Sequence, residues 1–408
     1  MTSPSDAQAP MGVLWISHDG ALDPLGQSQV LPYMLGLSGS GQRLTLLSFE
    51  KPAALADPAR VARVEAACRA ANIRWVPLTY HRWPPVVSTL WDMVRGFWTG
   101  WRLIRQERIQ VIHARSYVPA CLGTLLKQAT GARMIFDMRE LWVDGRVDGG
   151  SWRRGGWLHR IGKRCERWCL CNADGVVSLT ETGKRIVEGF PYWRADAAPI
   201  AVIPTCVDTA RFQAPARTVS GRTAPVIVYL GSVGTWYRLD AMADCYRAAA
   251  AQWPGSRFLI VTPHADAARA VCLARGLRPE QFDIRSLPHE DVPQGLEAAD
   301  IALYFITPSY AKQSSCPTKL GESLAAGLPI MTNAGIGDQD ALIRAHRVGV
   351  VVEELTPAAY ARAWTEMAAL LAEGDALHAR CREVAERELG LGRALRAYTD
   401  MYHHVAAA

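Results

Sequence analysis

Short apolar runs rich in Val, Ile and Leu recur along the chain, separated by longer stretches whose apolar residues repeat every three or four positions. In the first half the runs fall at 13–17, 44–49, 73–78, 111–115, 134–138, 175–179 and 201–204. In the second half they fall at 226–230, 258–262, 283–287, 301–305, 329–332 and 348–352. Runs of this length predict strands, and the helical stretches between them predict right-handed crossovers onto parallel sheets. The rhythm lapses over 207–225, where Pro, Gly, Ser, Thr and Arg accumulate, which predicts a linker. From Thr356 onward the pattern is helical to the end.

The expected architecture is therefore α/β, with two doubly wound Rossmann-like domains facing across a cleft. The first covers 11–206, the linker 207–225 and the second 226–390, and a terminal helix over 391–408 packs back on the first domain. Sheets of this kind bind ligands outside the carboxyl ends of their strands, so the loops there carry the most weight.

Composition narrows the class. The chain has 408 residues, 49% hydrophobic and 21% charged, which excludes disorder or a fibre. No apolar stretch reaches the ~18 residues a membrane-spanning helix needs. The first ten residues, MTSPSDAQAP, lack the charged-then-apolar order of a signal peptide and read as a disordered tail, with Met11 as an alternative start. The ten cysteines are scattered, and the closest set, Cys165, Cys169 and Cys171, contains no CxxC pair. Reduced thiols in a cytoplasmic protein are expected, with neither zinc nor a disulfide framework.

Charge is uneven. Residues 81–170 hold 16 Lys and Arg against 7 Asp and Glu, a net of +9, whereas the whole chain is at +6. The same window holds 8 of the 14 tryptophans. Within it, 86–107 reads as one helix with Val87, Leu90, Trp91, Val94, Phe97, Trp98, Trp101 and Ile104 in a stripe and Arg95, Arg102 and Arg105 off its centre. A second stretch rich in Lys, Arg and Trp follows at 151–170. Either these are a core helix and a solvated basic helix, or they attach the protein to an anionic membrane surface. No recognition fold or RNA-binding motif accompanies the charge, so nucleic acid is not expected.

The strongest chemical segment is PTKLGESLAAGLPIMTN, 317–333. Thr318 suits an N-cap, and Gly327 with Pro329 ends the helix before a buried strand. Free N–H groups of a helix start, next to Lys319 and Leu320, suit a diphosphate, and Glu322 suits ribose hydroxyls. The alternative is a surface Lys–Glu pair. Other strand-end loops carry further candidates. In ISHDGALDPLGQSQVLPYMLGL (16–37), His18 and Asp19 sit at the strand tip and Gly26, Gln27 and Ser28 follow. VIHARSYVPA (111–120) offers His113, a core residue or a ligand, and Arg115, a clamp for phosphate or acceptor oxygens. FDMRELWVDGRVDGGSW (136–152) crowds Asp137, Arg139, Glu140, Asp144 and Asp148 into one loop, with Asp137 a candidate base. In YLGSVGTWYRLD (229–240), Gly231 and Gly234 permit close backbone approach to phosphate, and Arg238 is near.

The 317–333 segment resembles the nucleotide-sugar motif of the retaining glycosyltransferases of family 4, which have the GT-B fold. Glu322 matches the second glutamate of that motif, and Ala326, Gly327 and Pro329 match its small-residue tail. Ser314 stands at the first glutamate's position, and the chain instead matches a PxKxxE form seen in bacterial polysaccharide members. The 229–240 turn resembles the family's phosphate-binding turn, with Ser232 in place of an arginine and Trp236–Tyr237 in place of a Lys-Gly step. IPTCVDTARF (203–212) resembles the family's stretch before the linker, through Pro204, Val207, Asp208 and Phe212. The 16–37 segment resembles the glycine-rich first loop, and His113 and Arg115 stand where relatives carry HxH.

The resemblance implies retaining transfer from a nucleotide diphosphate sugar, UDP-sugar favoured over GDP-sugar, to a lipid-linked or oligosaccharide acceptor. It implies donor contacts at Gly26, Gly231, Gly234, Arg238, Lys319, Leu320 and Glu322. Acceptor contacts would fall at His18, Gln27, Arg139 and Glu140, and catalytic work at Asp137, Arg115 and Lys319. No cofactor or metal is expected. Asp338-Gln339-Asp340 is a DxD, but that metal motif belongs to the other large glycosyltransferase fold, a single domain with a different strand order. Three alternatives stay open: a soluble transferase with a small-molecule acceptor, an inactive nucleotide-sugar-binding protein, and a sugar-nucleotide epimerase, which can share this fold.

Overall fold

The computed structural model describes residues 10–84, 86–194, 198–212, 224–234, 236–288 and 291–407. The expected tail (all but its last residue) and 213–223 of the expected linker lie outside the described residues.

Two all-parallel sheets form. The first comprises β1 (Met11–Ser17), β2 (Gln42–Glu50), β3 (Arg74–Thr79), β4 (Val111–Arg115), β5 (Arg133–Asp137), β6 (Gly175–Ser178) and β7 (Ile200–Val202), in the order 3-2-1-4-5-6-7. The second comprises β8 (Val226–Leu230), β9 (Arg257–Val261), β10 (Phe282–Arg285), β11 (Ile301–Tyr304), β12 (Ile330–Asn333) and β13 (Gly349–Val352), in the order 10-9-8-11-12-13. Helices cover both faces, which is why the central strands are apolar almost without interruption and could be read from the sequence. Strand order reverses between β1 and β4 and again between β8 and β11. At those two points neighbouring crossovers diverge to opposite faces and leave a crevice at the carboxyl ends.

The chain crosses between domains twice, side by side. Val207 bridges Gly390 in parallel, with Val207 N donating to Leu389 O and Leu391 N donating to Val207 O. The last helix, Leu391–Ala407, lies on the first domain and buries Tyr398, Met401, Tyr402 and Val405 there. Direct bonds close the two domains on each other. Asp338 accepts from the N–H groups of Glu181 and Thr182 at 2.6 and 3.2 Å and from the Thr182 hydroxyl at 2.7 Å. Leu141 N donates to Ser314 Oγ at 2.9 Å, and Ala311 N to Asp148 Oδ2 at 3.0 Å.

One helix departs from expectation. Val87–Glu107 forms, but its inner face is Ser88, Asp92, Gly96, Gly100, Leu103 and Ile104. Of the expected apolar stripe, Val87, Leu90, Trp91, Val94 and Trp98 face outward, each at least half exposed. No helix among the described residues is long and apolar enough to cross a membrane.

Candidate functional site

The two crevices meet in one interdomain cleft of about 480 Å³. On the first domain's side its wall begins at the β1/β4 reversal, where Ser17 and Arg115 end their strands in register. His18, Asp19, Arg115, Ser116, Arg139, Glu140, Trp142 and Arg146 line it. Arg115 is buried and donates to Asp19 Oδ2 at 2.5 Å. Burial lowers the His18 imidazole below its ordinary pKa, against the opposing charges of Asp19 and Asp92, so it stays neutral around pH 7. Arg139, at a left-handed φ of 59°, reaches Gln29 Oε1 at 3.3 Å and Thr205 Oγ1 at 3.4 Å. Glu140 pairs with Lys312 of the second domain at 3.2 Å.

Asp137 does not fit the expected part of acceptor-facing base. Its side chain is fully buried beneath the cleft, within 3.6 Å of Arg139 Nη1, 3.4 Å of His113 Nε2 and 3.0 Å of the Tyr398 hydroxyl. Burial alone would raise its pKa, but the Arg139 charge, the His113 hydrogen bond and the Arg115 charge outweigh it and hold the carboxyl at about 2. A carboxylate so held is a poor proton acceptor and a strong anchor. His113 is likewise internal, stacked on Trp15 at 3.6 Å and bonded through Nδ1 to the Tyr402 hydroxyl at 2.8 Å.

The first loop is also built inward. Gln27 Nε2 donates to Ala21 O at 2.6 Å, and Gly26 packs so closely on Gly20 that a Cβ there would fall 1.8 Å from its carbonyl oxygen. Neither lines the cleft, whereas Leu25 and Gln29 do. The loop is held by Glu50, which accepts from Ala21 N at 2.7 Å, Leu22 N at 3.1 Å and Ser48 Oγ at 2.5 Å. Glu50 is not among the expected site residues; a carboxylate closing a strand at its carboxyl end is the available signal. The carboxylates Asp144 and Asp148 are structural too, because Asp144 pairs with Lys163 at 3.0 Å and Asp148 with Arg154 at 3.2 Å.

On the second domain's side, Trp236, Tyr237, Ile306, Lys312, Cys316, Pro317 and Thr318 line the cleft. The helix begins at Thr318 and its N-cap is Pro317, in extended conformation with no side-chain cap, not Thr318 as expected. Its first turn is presented to the cleft through Pro317 and Thr318. Lys319 and Glu322 are no surface pair, since they are 5% and 8% exposed. Lys319 Nζ lies 3.7 Å from the Tyr237 ring centroid and directly beneath Gly231, whose absent Cβ would come within 2.7 Å of it. Lys319 lowers the Tyr237 phenol's pKa, with burial opposing. Burial raises the Glu322 carboxyl's pKa, with the Lys319 and Arg211 charges opposing. Leu320 is core. Arg238 turns away from the cleft into a two-point pair with Asp240, at 2.9 and 2.8 Å. Arg146, Trp142, Lys312 and Trp236 were not anticipated as cleft residues. Lys312 stacks on Trp236 at 4.5 Å, a contact that sequence spacing cannot reveal.

Ser314, where the family motif has a glutamate, is 2% exposed and bonds both Leu141 N and Ala311 O. Ser314→Glu is therefore expected to lower stability by about 2–4 kcal/mol, by overpacking and by breaking the Leu141 bond. A thermal melt checks this; an unchanged midpoint together with gained turnover would refute it.

Residues 27–206 match the model of the glycosyl transferase 4-like domain, and residues 224–369 match that of the glycosyl transferases group 1. No curated protein matches the chain in sequence. Several solved structures share its fold end to end. A sucrose-phosphate synthase from Thermosynechococcus elongatus is 17% identical with a TM-score of 0.73, covering 97% of this chain and 99% of its own. A glycosyltransferase from Rickettsia africae is 13% identical at 0.67, covering 97% and 98%. The HepE protein of Anabaena, in complex with UDP and glucose, is 12% identical at 0.67, covering 96% and 99%.

Proposed function

Because the chain belongs to the glycosyltransferases that join a family 4-like domain to a group 1 domain in a GT-B fold, we propose that it moves a sugar from a nucleotide diphosphate sugar to an acceptor hydroxyl with retention. The donor is a UDP-sugar in first place and a GDP-sugar in second. The acceptor is lipid-linked or an oligosaccharide, in polysaccharide or glycolipid biosynthesis. One observation carries the reading: an uncapped helix start, Pro317 and Thr318, faces Arg115, Arg139 and Arg146 across a single cleft. The Anabaena structure's UDP and glucose support the donor class.

The diphosphate sits at the helix start, where free N–H groups and Lys319 meet its charge as the leaving group departs. Glu322 accepts from the ribose hydroxyls. The cleft carboxylates Asp19 and Glu140 are tied to Arg115 and Lys312. That favours a route without a protein nucleophile, in which the acceptor oxygen bonds the anomeric carbon on the face the phosphate leaves and the phosphate oxygen takes the acceptor's proton. The closed domains exclude water. Cations of the chain meet the diphosphate, so the proposal calls for no metal.

A panel of UDP- and GDP-sugars tested by thermal shift checks the donor. The true donor at a hundred times its Kd adds about 2.7 kcal/mol, a rise of several degrees. No shift from any member, with no transfer, would end the proposal. The second reading is a nucleotide-sugar-binding protein without turnover, favoured by the use of Ser314 in a domain contact. A shift with no transfer would select it.

A further inference from the structure

The outward row on Val87–Glu107 has a physical cause. A Cβ on Gly96 would lie 2.8 Å from Leu122 and 3.0 Å from Phe49, and one on Gly100 would lie 2.8 Å from Leu126. The glycines let this helix press against its neighbour, Tyr117–Thr130, and leave no room for a larger side chain at those two positions. Phe97 and Trp101 are partly buried against the core, and the other bulky side chains of the row are left on the outside. Leu90, Trp91, Val94 and Trp98 are 50–57% exposed. Across Tyr117–Thr130, the helix Trp157–Asn172 adds Trp157 at 67% and Ile161 at 47%. Large apolar side chains exposed side by side in this way mark an interaction site.

Its charge is of one sign. On these two helices the exposed ionic residues are Arg102, Arg105, Arg160, Arg164 and Arg167, while Asp92 and Glu166 are buried and Glu107 is half-buried against Arg74. The helix is also tied to the cleft wall. His81 binds Asp92 through its N–H at 2.8 Å and Nδ1 at 2.6 Å, and the adjacent Tyr80 ring packs on His18 at 5.2 Å.

We propose that this face docks on an anionic phospholipid bilayer. Trp91, Trp98 and Trp157 enter the boundary between headgroups and acyl chains, and the arginines engage lipid phosphates. Charge selects this occupant, because a second copy of the chain would set arginine against arginine. Docking holds the cleft beside the lipid surface, which deepens the proposed function by favouring an acceptor presented from the membrane; for the acceptor it rests on that reading, and for the docking on the face alone.

The test uses the intact chain and vesicles of phosphatidylcholine with and without phosphatidylglycerol. Co-sedimentation is expected with the anionic vesicles only, falling as salt rises. The variants Trp91→Ser/Trp98→Ser/Trp157→Ser and Arg102→Glu/Arg160→Glu/Arg164→Glu are each expected to weaken it about tenfold or more. The altered side chains are more than a third exposed, so both variants should melt with the wild type and turn over a soluble acceptor equally well. Wild type that ignores anionic vesicles, or variants that bind them unchanged, overturn the proposal. So does a dimer in ultracentrifugation that the tryptophan variant abolishes. Donor-induced thermal shifts are independent of lipid, so failure here is separable from failure of the transfer reading.

Discussion

Lys319→Ala is expected to lower transfer by two to three orders of magnitude, about 3–4 kcal/mol of lost stabilisation of the leaving diphosphate. The turn after β8 carries Ser232 and Trp236 where related chains place cations, and Arg238 is occupied by Asp240. With Lys312 paired to Glu140, the charge that the proposed donor site draws from this domain concentrates on Lys319. Its place is fixed by packing: the first turn of Thr318–Ala325 brings its Nζ to the Tyr237 ring and against Gly231, which at φ 146° accepts the contact because it has no side chain. Initial rates with the donor found by thermal shift, beside calorimetric titration with UDP, check the effect. Lys319→Gln, which keeps most of the volume, separates loss of charge from a collapsed cavity. Wild-type turnover in both variants would remove Lys319 from the mechanism.

The elements were legible because parallel strands covered on both faces read as unbroken apolar runs, and every run expected in either half overlaps one of β1 to β13. Side-chain direction was less legible. The stripe on 86–107 has the period of a buried face, and only the small residues opposite it, at Ser88, Gly96 and Gly100, indicate that the helix turns its bulk outward. In 136–152 charge density suggested a ligand, yet those carboxylates balance Arg139, Lys163, Arg154 and the amide of Ala311. Arg139, Arg154 and Lys163 are near in the chain, but which carboxylate each one meets depends on how the elements close on the loop, and the amide of Ala311 comes from the other domain. The Lys312–Glu140 pair and the Lys312–Trp236 stack are invisible for the same reason. The Arg238–Asp240 pair is the exception, legible in the sequence because its partners are two residues apart.

Asp137→Ala is expected to destabilise the protein by about 3–5 kcal/mol, the cost of leaving a buried cation without its counter-ion. The carboxylate ends β5 at the centre of the first domain and joins three elements: Arg139 beyond the strand, His113 on β4 and Tyr398 on the last helix. Its folded pKa of about 2 lies below the ordinary aspartate value of 3.8, a difference worth about 2 kcal/mol. A depressed carboxylate contributes that stability in full above its unfolded pKa and loses it as pH falls through its folded one. The gap between wild type and Asp137→Asn in urea unfolding should therefore narrow from about pH 4 towards pH 2. A comparison with the variant is needed, because burial raises the pKa of Glu50 and Glu322 and these act in the opposite sense. The same variant separates two roles. A base would lose turnover at an unchanged melting point, whereas an anchor loses both, because Arg139 is then free to leave its place between Gln29 and Thr205 at the cleft. Full stability with abolished turnover in Asp137→Asn would restore the base and refute the anchor.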